Sequence, residues 1–513
     1  MFVRNLMLKV TYLSAFLFSM QVSAITLEEA TYQAIENSPT VRQALAKYRE
    51  DIQNAEQADR TGFYPSIDLD AGIGRQTSYA DNTRNSDISL TRRETALTLT
   101  QPIFDGFSTT YDVKRLSSEA QSDRWQALIK VEDTALKVSK AYTDVLRYRE
   151  LLKLADQNLA THKRIYKQIK LKTDSGIGRE SDLSQITARL AKARANRSAA
   201  LNNLSDAETN YLKVVGKLPP KNLIYPIPDR TLLPKTLQQA ISQSLKQNPA
   251  IIGSKWDVDA TESYIKSVNG ANYPSINFTL ERKWNNNIDG TPGPDADLQA
   301  MIRLKYNLYN GGSNQRKKEA AVQQNVQASE IRRNTIRETE QTVRLAWSSF
   351  QSTKEQKGYL REYVIATKQS QVAYAKQFRL GRRTLLDVLD SENELFQARQ
   401  DYVNTDYDEL YSEFRLFNAK GELLKAFRIY RPDVLGFSDN FKKDQKERTG
   451  ATPIQQLQQA EKTATQTKAG LTSTTQSDNN TQVDDQNTSS TPKKKSSDDS
   501  LFIDSGGESD AWQ

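Results

Sequence analysis

The 513-residue chain contains no cysteine and a single histidine, His162. The first absence excludes disulfides, cysteine-ligated zinc, thioether-linked haem and a lipidated N-terminal cysteine. The second excludes a multi-histidine metal site and removes the commonest agent of general acid–base chemistry. Hydrophobic residues make up only 37% of the chain and mean hydropathy is −0.71, so it is not a helical multispan membrane protein. No GxxxxGK[ST] phosphate loop occurs, and no strand pattern precedes Gly176-Ile177-Gly178 as it would a dinucleotide loop. With no nucleophile–base pair and no metal cluster, neither an enzyme nor a cofactor is expected. The net charge of +8 is spread over basic residues interspersed with acids, so no nucleic-acid partner is expected either.

Both ends stand apart in composition. Residues 1–24 read as a signal peptide, with Arg4 and Lys9 ahead of a short apolar run from Val10 to Met20 and a small-residue site at Val22-Ser23-Ala24. Export of the mature chain is therefore expected. Residues 442–513 are rich in Gln, Thr, Ser, Asn and Lys, and are expected to form a disordered polar tail.

Between the ends, one unit is written twice. Thr26-Leu27 and Ala30 recur as Thr236-Leu237 and Ala240, and Tyr64-Pro65-Ser66-Ile67 as Tyr273-Pro274-Ser275-Ile276. Phe104-Asp105-Gly106 matches Tyr309-Asn310-Gly311, Gly176 matches Gly381, and Gly216 matches Gly421. From Gly106 to Gly216 the spacing of the matches does not change. Loops tolerate insertions, whereas one added residue turns a packed helix face by about 100°, so constant spacing points to rigid helices.

Each repeat opens with helix signals. Thr26-Leu27-Glu28-Glu29 has the form of a capping box, while Ser38-Pro39 and Asn248-Pro249 pair an N-cap residue with a first-turn proline. The period then falls to two. Ile67, Leu69, Ala71 and Ile73 alternate with polar residues or glycine, as do Leu97 and Leu99, then Ile276, Phe278 and Leu280, then Leu298, Ala300, Ile302 and Leu304. Two hairpins follow, at about 64–104 and 273–309, with polar loops near 75–93 and 285–297. Strands of about ten residues suit a tilted bilayer crossing. The same alternation also fits a half-buried soluble sheet.

After each hairpin the sequence runs without proline, from Gly106 to Pro219 and from Gly312 to Pro432. A helix from about Ser108 to Lys172 would span roughly 100 Å at 1.5 Å per residue. It should turn at Gly176 and return to about Val215, and the second repeat should do the same at Gly381. Four strands cannot close a membrane barrel, which needs about eight, and lipid does not permit open edges. Membrane-spanning strands would have to be pooled by several chains. The organisation expected is a first repeat at 25–215, a linker at 216–235, a second repeat at 236–420 and an equatorial segment at 421–441.

In these features the chain resembles the TolC family of outer-membrane channel proteins. The likeness covers about residues 25–430 and is most specific at Thr100-Gln101-Pro102-Ile103-Phe104-Asp105-Gly106 and Gly381-Arg382-Arg383-Thr384-Leu385-Leu386-Asp387-Val388-Leu389-Asp390. It implies a mostly α, α+β fold assembled as a homotrimer. A 12-stranded outer-membrane β-barrel would continue into a periplasmic α-helical barrel. The segments Ala141-Tyr142-Thr143-Asp144-Val145-Leu146-Arg147 and Gly176-Ile177-Gly178-Arg179-Glu180-Ser181-Asp182-Leu183 are similar to the subgroup serving type I secretion. That subgroup works with a periplasmic adaptor and an inner-membrane ABC transporter to export protein substrates, including large adhesins and RTX-type proteins. The alternatives are the outer-membrane component of a small-molecule efflux pump and, from another class, an exported coiled-coil scaffold.

Asp387 and Asp390 lie three apart and share one helix face. Thr384-Leu385-Leu386-Asp387 also has the form of a capping box. The resemblance implies instead that both acids line the narrow periplasmic entrance, where three chains would form an acidic ring attractive to hydrated cations. It further implies that Arg383 locks the entrance by bonding to Ser181 and Asp182. Phe378 stands where the family's best-studied type has tyrosine, so one gate hydrogen bond is expected to be missing. An ordinary exposed ion pair is the plainer reading of Arg383. His162 is expected to be a surface or packing residue.

Overall fold

The computed structural model describes residues 25–79, 86–437 and 450–474. The signal-peptide reading for 1–24 and the tail beyond 474 lie outside the described residues. Residues up to Ala460 form one compact unit.

Helices α1 (Leu27–Asn37) and α2 (Pro39–Phe63) open the first repeat, and α5 (Leu237–Gln247) and α6 (Pro249–Asn269) open the second. Ser38 and Asn248 cap their helices as expected, Thr26 accepts from Glu29 N–H as one half of the expected box, and Thr236 caps its helix in the same way. Each pair of short helices is separated by its Ser-Pro or Asn-Pro step, because the residue before proline is driven out of the helical region.

Strands β1 (Ser66–Ser78), β2 (Ile88–Phe104), β3 (Ser275–Asn286) and β4 (Pro294–Lys305) form one antiparallel sheet in chain order. The two hairpins thus join through β2 and β3, with Leu99 opposite Leu280. β1 and β2 extend further than expected, pairing Ser78 with Ile88, so the first polar loop is narrower than 75–93. Side-chain alternation ends before the backbone ladder does, since pairing needs only N–H and C=O groups. Pro102 lacks a donor, and the β2–β3 register shifts there. Among the described residues the outer edges of β1 and β4 have no strand partner. Ile67, Leu69, Ile73, Leu298, Ile302 and Leu304 are all exposed on the sheet.

The long helices are α3 (Ser108–Asp174) and α7 (Ser313–Arg379), each of 67 residues. Their returning partners are α4 (Glu180–Val215) and α8 (Leu385–Lys420), each of 36 residues. At the strand-to-helix junction Gly106 has φ +72°, and a Cβ there would lie 2.4 Å from Gly270 O. That close approach brings the two repeats together, and Ser108 Oγ donates to Ser267 O at 3.1 Å beside it.

The main core lies at the equator, where Tyr142, Tyr211, Tyr407, Phe414 and Phe417 are fully buried. The linker crosses it and is tied down by polar contacts. Tyr142 Oη accepts from Ile224 N–H at 2.9 Å, and Tyr225 donates to the buried Asp406 at 2.6 Å. Glu132 of α3 accepts from the N–H groups of Leu423 and Leu424, which begin the short helix α9 (Leu423–Ala426). Burial pushes the Glu132 carboxyl up to about 8. His162 is a packing residue, buried on α3 with Nδ1 2.9 Å from Asn158 O.

The tail expectation needs correction. Residues Pro453–Thr474 are helical (α10), and Ile454, Leu457 and Ala460 are buried. The average composition of the stretch is polar. Three apolar residues spaced by three nevertheless supply one narrow face that a groove can cover, and Pro453 suits a first helical turn.

Candidate functional site at the helical tip

Both long hairpins reverse in the same way. Gly176 and Gly381 adopt φ +74° and +71°, which L-residues with side chains rarely adopt. The N–H groups of Ile177 and Gly178 donate to Lys172 O at 3.0 and 2.9 Å, and Arg382 N–H donates to Gln377 O at 2.9 Å. These bonds satisfy carbonyls left over at the helix ends.

The returning helices begin differently. Thr384 and Asp387 form a full capping box at the start of α8. Asp387 N–H donates to Thr384 Oγ1 at 3.3 Å, while Thr384 N–H and hydroxyl donate to Asp387 Oδ2 at 3.1 and 2.8 Å. The Thr384 hydroxyl, then its backbone N–H, then the charge of Arg383 hold the Asp387 carboxyl below the usual carboxylate range. At the start of α4, Arg179 occupies the equivalent place and makes no side-chain cap. The capping role of Asp387 is therefore present within the single chain.

Arg383 is engaged inside its own hairpin. Its Nε donates to Gln377 Oε1 at 3.1 Å, its guanidinium lies 4.4 Å from the Tyr374 ring centre, and it stands 3.7 Å from Asp387 Oδ1. Within the chain the structure does not bring it to Ser181 or Asp182. Ser181 is exposed, and Asp182 is half-buried in the first turn of α4. Asp390 has a partner that sequence reasoning missed: Arg189 of α4 donates to its Oδ1 at 2.7 Å. This pair links the two repeats directly. Arg189 lies one turn beyond Gln185, the repeat mate of Asp390, and that adjacency is the only signal the sequence carried.

Behind the turns the hairpins meet in an apolar cluster. Ile169, Ile186, Leu385 and Leu389 are buried together, with Leu183, Tyr166 and Phe378 packed against them. Phe378 belongs to this cluster, and the Lys172 ammonium lies 5.7 Å from its ring centre. Burying one such Leu or Ile contributes about 1.5–3 kcal/mol, against about 0–1 kcal/mol for an exposed pair such as Arg189–Asp390. Within the chain the tip is thus held mainly by its apolar cluster and oriented by its charges. Among the described residues no group of acids and histidines could hold a metal ion.

Sequence comparison places this architecture. Residues 30–217 and 240–422 match the family model described as outer membrane efflux protein. The chain belongs to that family. It is 26% identical over 402 residues to outer membrane efflux protein BepC of Brucella suis, covering 78% of this chain and 86% of the relative. To outer membrane protein TolC of Escherichia coli K12 it is 23% identical over 438 residues, covering 79% and 84%. The crystal structure of the Campylobacter jejuni CmeC outer membrane channel superposes with a TM-score of 0.68 at 14% identity, covering 77% of this chain and 86% of that one. That likeness shows the fold. The family is one of outer-membrane channels, which is not an enzyme class, and its members lie in the outer membrane and extend into the periplasm. This chain accordingly contributes an exit duct at the outer membrane. No described helix is long and apolar enough to cross a membrane.

Proposed function

We propose that three copies of the chain form a passive exit duct for protein secretion, fed by an inner-membrane ABC transporter through a periplasmic adaptor. The observation that carries the assembly is the open sheet. Four strands whose two outer edges are unpaired among the described residues, with an apolar exposed face, satisfy neither lipid nor water, whereas three sheets joined edge to edge would close a barrel of twelve. Helices α3, α4, α7 and α8 of each copy would then continue the tube into the periplasm.

In that tube Asp387 and Asp390 form a ring of acids at the entrance. Arg189–Asp390 and the apolar cluster are the part of the lock made within each chain. Arg383, which does not meet Ser181 and Asp182 of its own chain, reaches those residues of the adjacent copy. Protein cargo is supported by the likeness of the 141–147 and 176–183 segments to the type I secretion subgroup. Small-molecule efflux is the second reading, favoured by the efflux function in the names of relatives such as BepC.

Deleting the gene decides between the cargoes. Loss of a large protein from the culture medium with drug susceptibility unchanged would support secretion. Increased drug susceptibility with the secreted proteins intact would replace that reading with efflux.

A further inference from the structure

Residues 450–460 lie across three parts of the chain. Gly450 N–H donates to Tyr225 O of the linker at 3.1 Å. The approach is close, since a Cβ on Gly450 would fall 2.7 Å from the Tyr225 ring. On the first-repeat side, Glu150 of α3 faces the Thr452 side chain and the Ile454 N–H at the start of α10. A carboxyl group there meets N–H groups that a helix start leaves unsatisfied. Ile454 itself joins the equatorial core.

On the second-repeat side, Leu457 is buried with Val364 of α7 and with Leu395, Ala398 and Tyr402 of α8. The Tyr402 hydroxyl donates to Gln456 Oε1 at 3.3 Å. These contacts sit behind the tip: Leu395 is ten residues along α8, or about 15 Å from its start. The α7–α8 hairpin is the one that carries Arg383, Asp387 and Asp390. If it swings away from α3, either Leu457 must leave the hairpin or Ile454 must leave the equator. One short helix cannot follow both.

We infer that segment 450–460 is an intramolecular brace. It holds the tip-bearing hairpin of the second repeat against the first, and it must release that hairpin before the tip can dilate. The inference rests on the channel reading above. The brace is anchored at its start by Gly450 and Ile454, so the Leu457 contact is the one that yields.

The test uses full-length purified trimers in planar bilayers, comparing wild type with Leu457→Ser. The brace predicts a several-fold rise in open probability with trimer yield unchanged. Wild-type conductance in the variant would overturn the brace and leave the channel standing. Silence from both trimers would overturn the channel reading, and the brace with it. Should Leu457→Ser fail to assemble, the absence of native cysteine permits a Leu457→Cys/Ala398→Cys pair. Oxidation should then lower open probability several-fold relative to the reduced form, and equal behaviour in the two forms would overturn the brace.

Discussion

At the residue scale, Asp387 has two duties that one substitution can separate. It accepts the Thr384 N–H as the third residue of a capped helix, and it carries a negative charge at the tip. Asparagine keeps an acceptor in the same place without the charge. Asp387→Asn should therefore retain the melting temperature of the wild type, whereas Asp387→Ala should lower it. Both should reduce cation selectivity, and thermal melts with reversal potentials on the two variants check the separation. The capping duty was legible in Thr384-Leu385-Leu386-Asp387 itself. Arg189 was not legible as the partner of Asp390, because the pair joins two helices that only the folded chain brings together.

Glu132 offers a second residue-scale test. Burial raises its carboxyl to about 8, with the N–H groups of Leu423 and Leu424 opposing the shift. In the unfolded chain the group ionises near its ordinary value of about 4.3. The fold thus favours the protonated form, so the contribution is complete below the ordinary value and is lost as pH rises through about 8. Wild-type stability should fall between these limits, and Glu132→Gln should flatten that slope. Denaturant melts at pH 5 and pH 8.5 measure it; parallel slopes in the two proteins would assign the pH dependence to other groups.

At the scale of elements, the sequence carried the helices almost to the residue. The proline-free runs and fixed repeat spacing placed the long helix at about Ser108–Lys172, and it is Ser108–Asp174. Strand ends were less legible because the ladder continues where alternation stops. The helix from Pro453 was missed because its three buried residues are diluted by a polar stretch. Glycines show the same contrast between local and tertiary causes. Gly106 and Gly176 both have positive φ, but only Gly106 faces a neighbouring backbone carbonyl, and a Cβ on Gly176 meets open space. Gly176→Ala should cost about 1–2 kcal/mol from its left-handed conformation alone. Gly106→Ala should cost distinctly more, because the junction between repeats must also shift. Equal losses in thermal melts would mean that the junction relaxes freely.

At the scale of the whole molecule, the property that the proposed trimer would add is charge density at the tip. One chain places Asp387 at the tip surface and Asp390 beside Arg189, where exposure and screening keep each interaction weak. Three chains would bring these acids onto one axis, and repulsion among them would oppose the depression that Thr384 and Arg383 impose on Asp387. A ring of this kind selects cations by its field, and that field is screened over about 10 Å at 0.1 M salt but only about 3 Å at 1 M. Wild-type trimers should therefore be cation-selective in dilute salt and lose much of that selectivity in concentrated salt. Asp387→Asn/Asp390→Asn should show little selectivity at either concentration. Reversal potentials across a salt gradient provide the measurement. Undiminished selectivity in the double variant would move the constriction away from the tip and leave Asp387 as a helix cap alone.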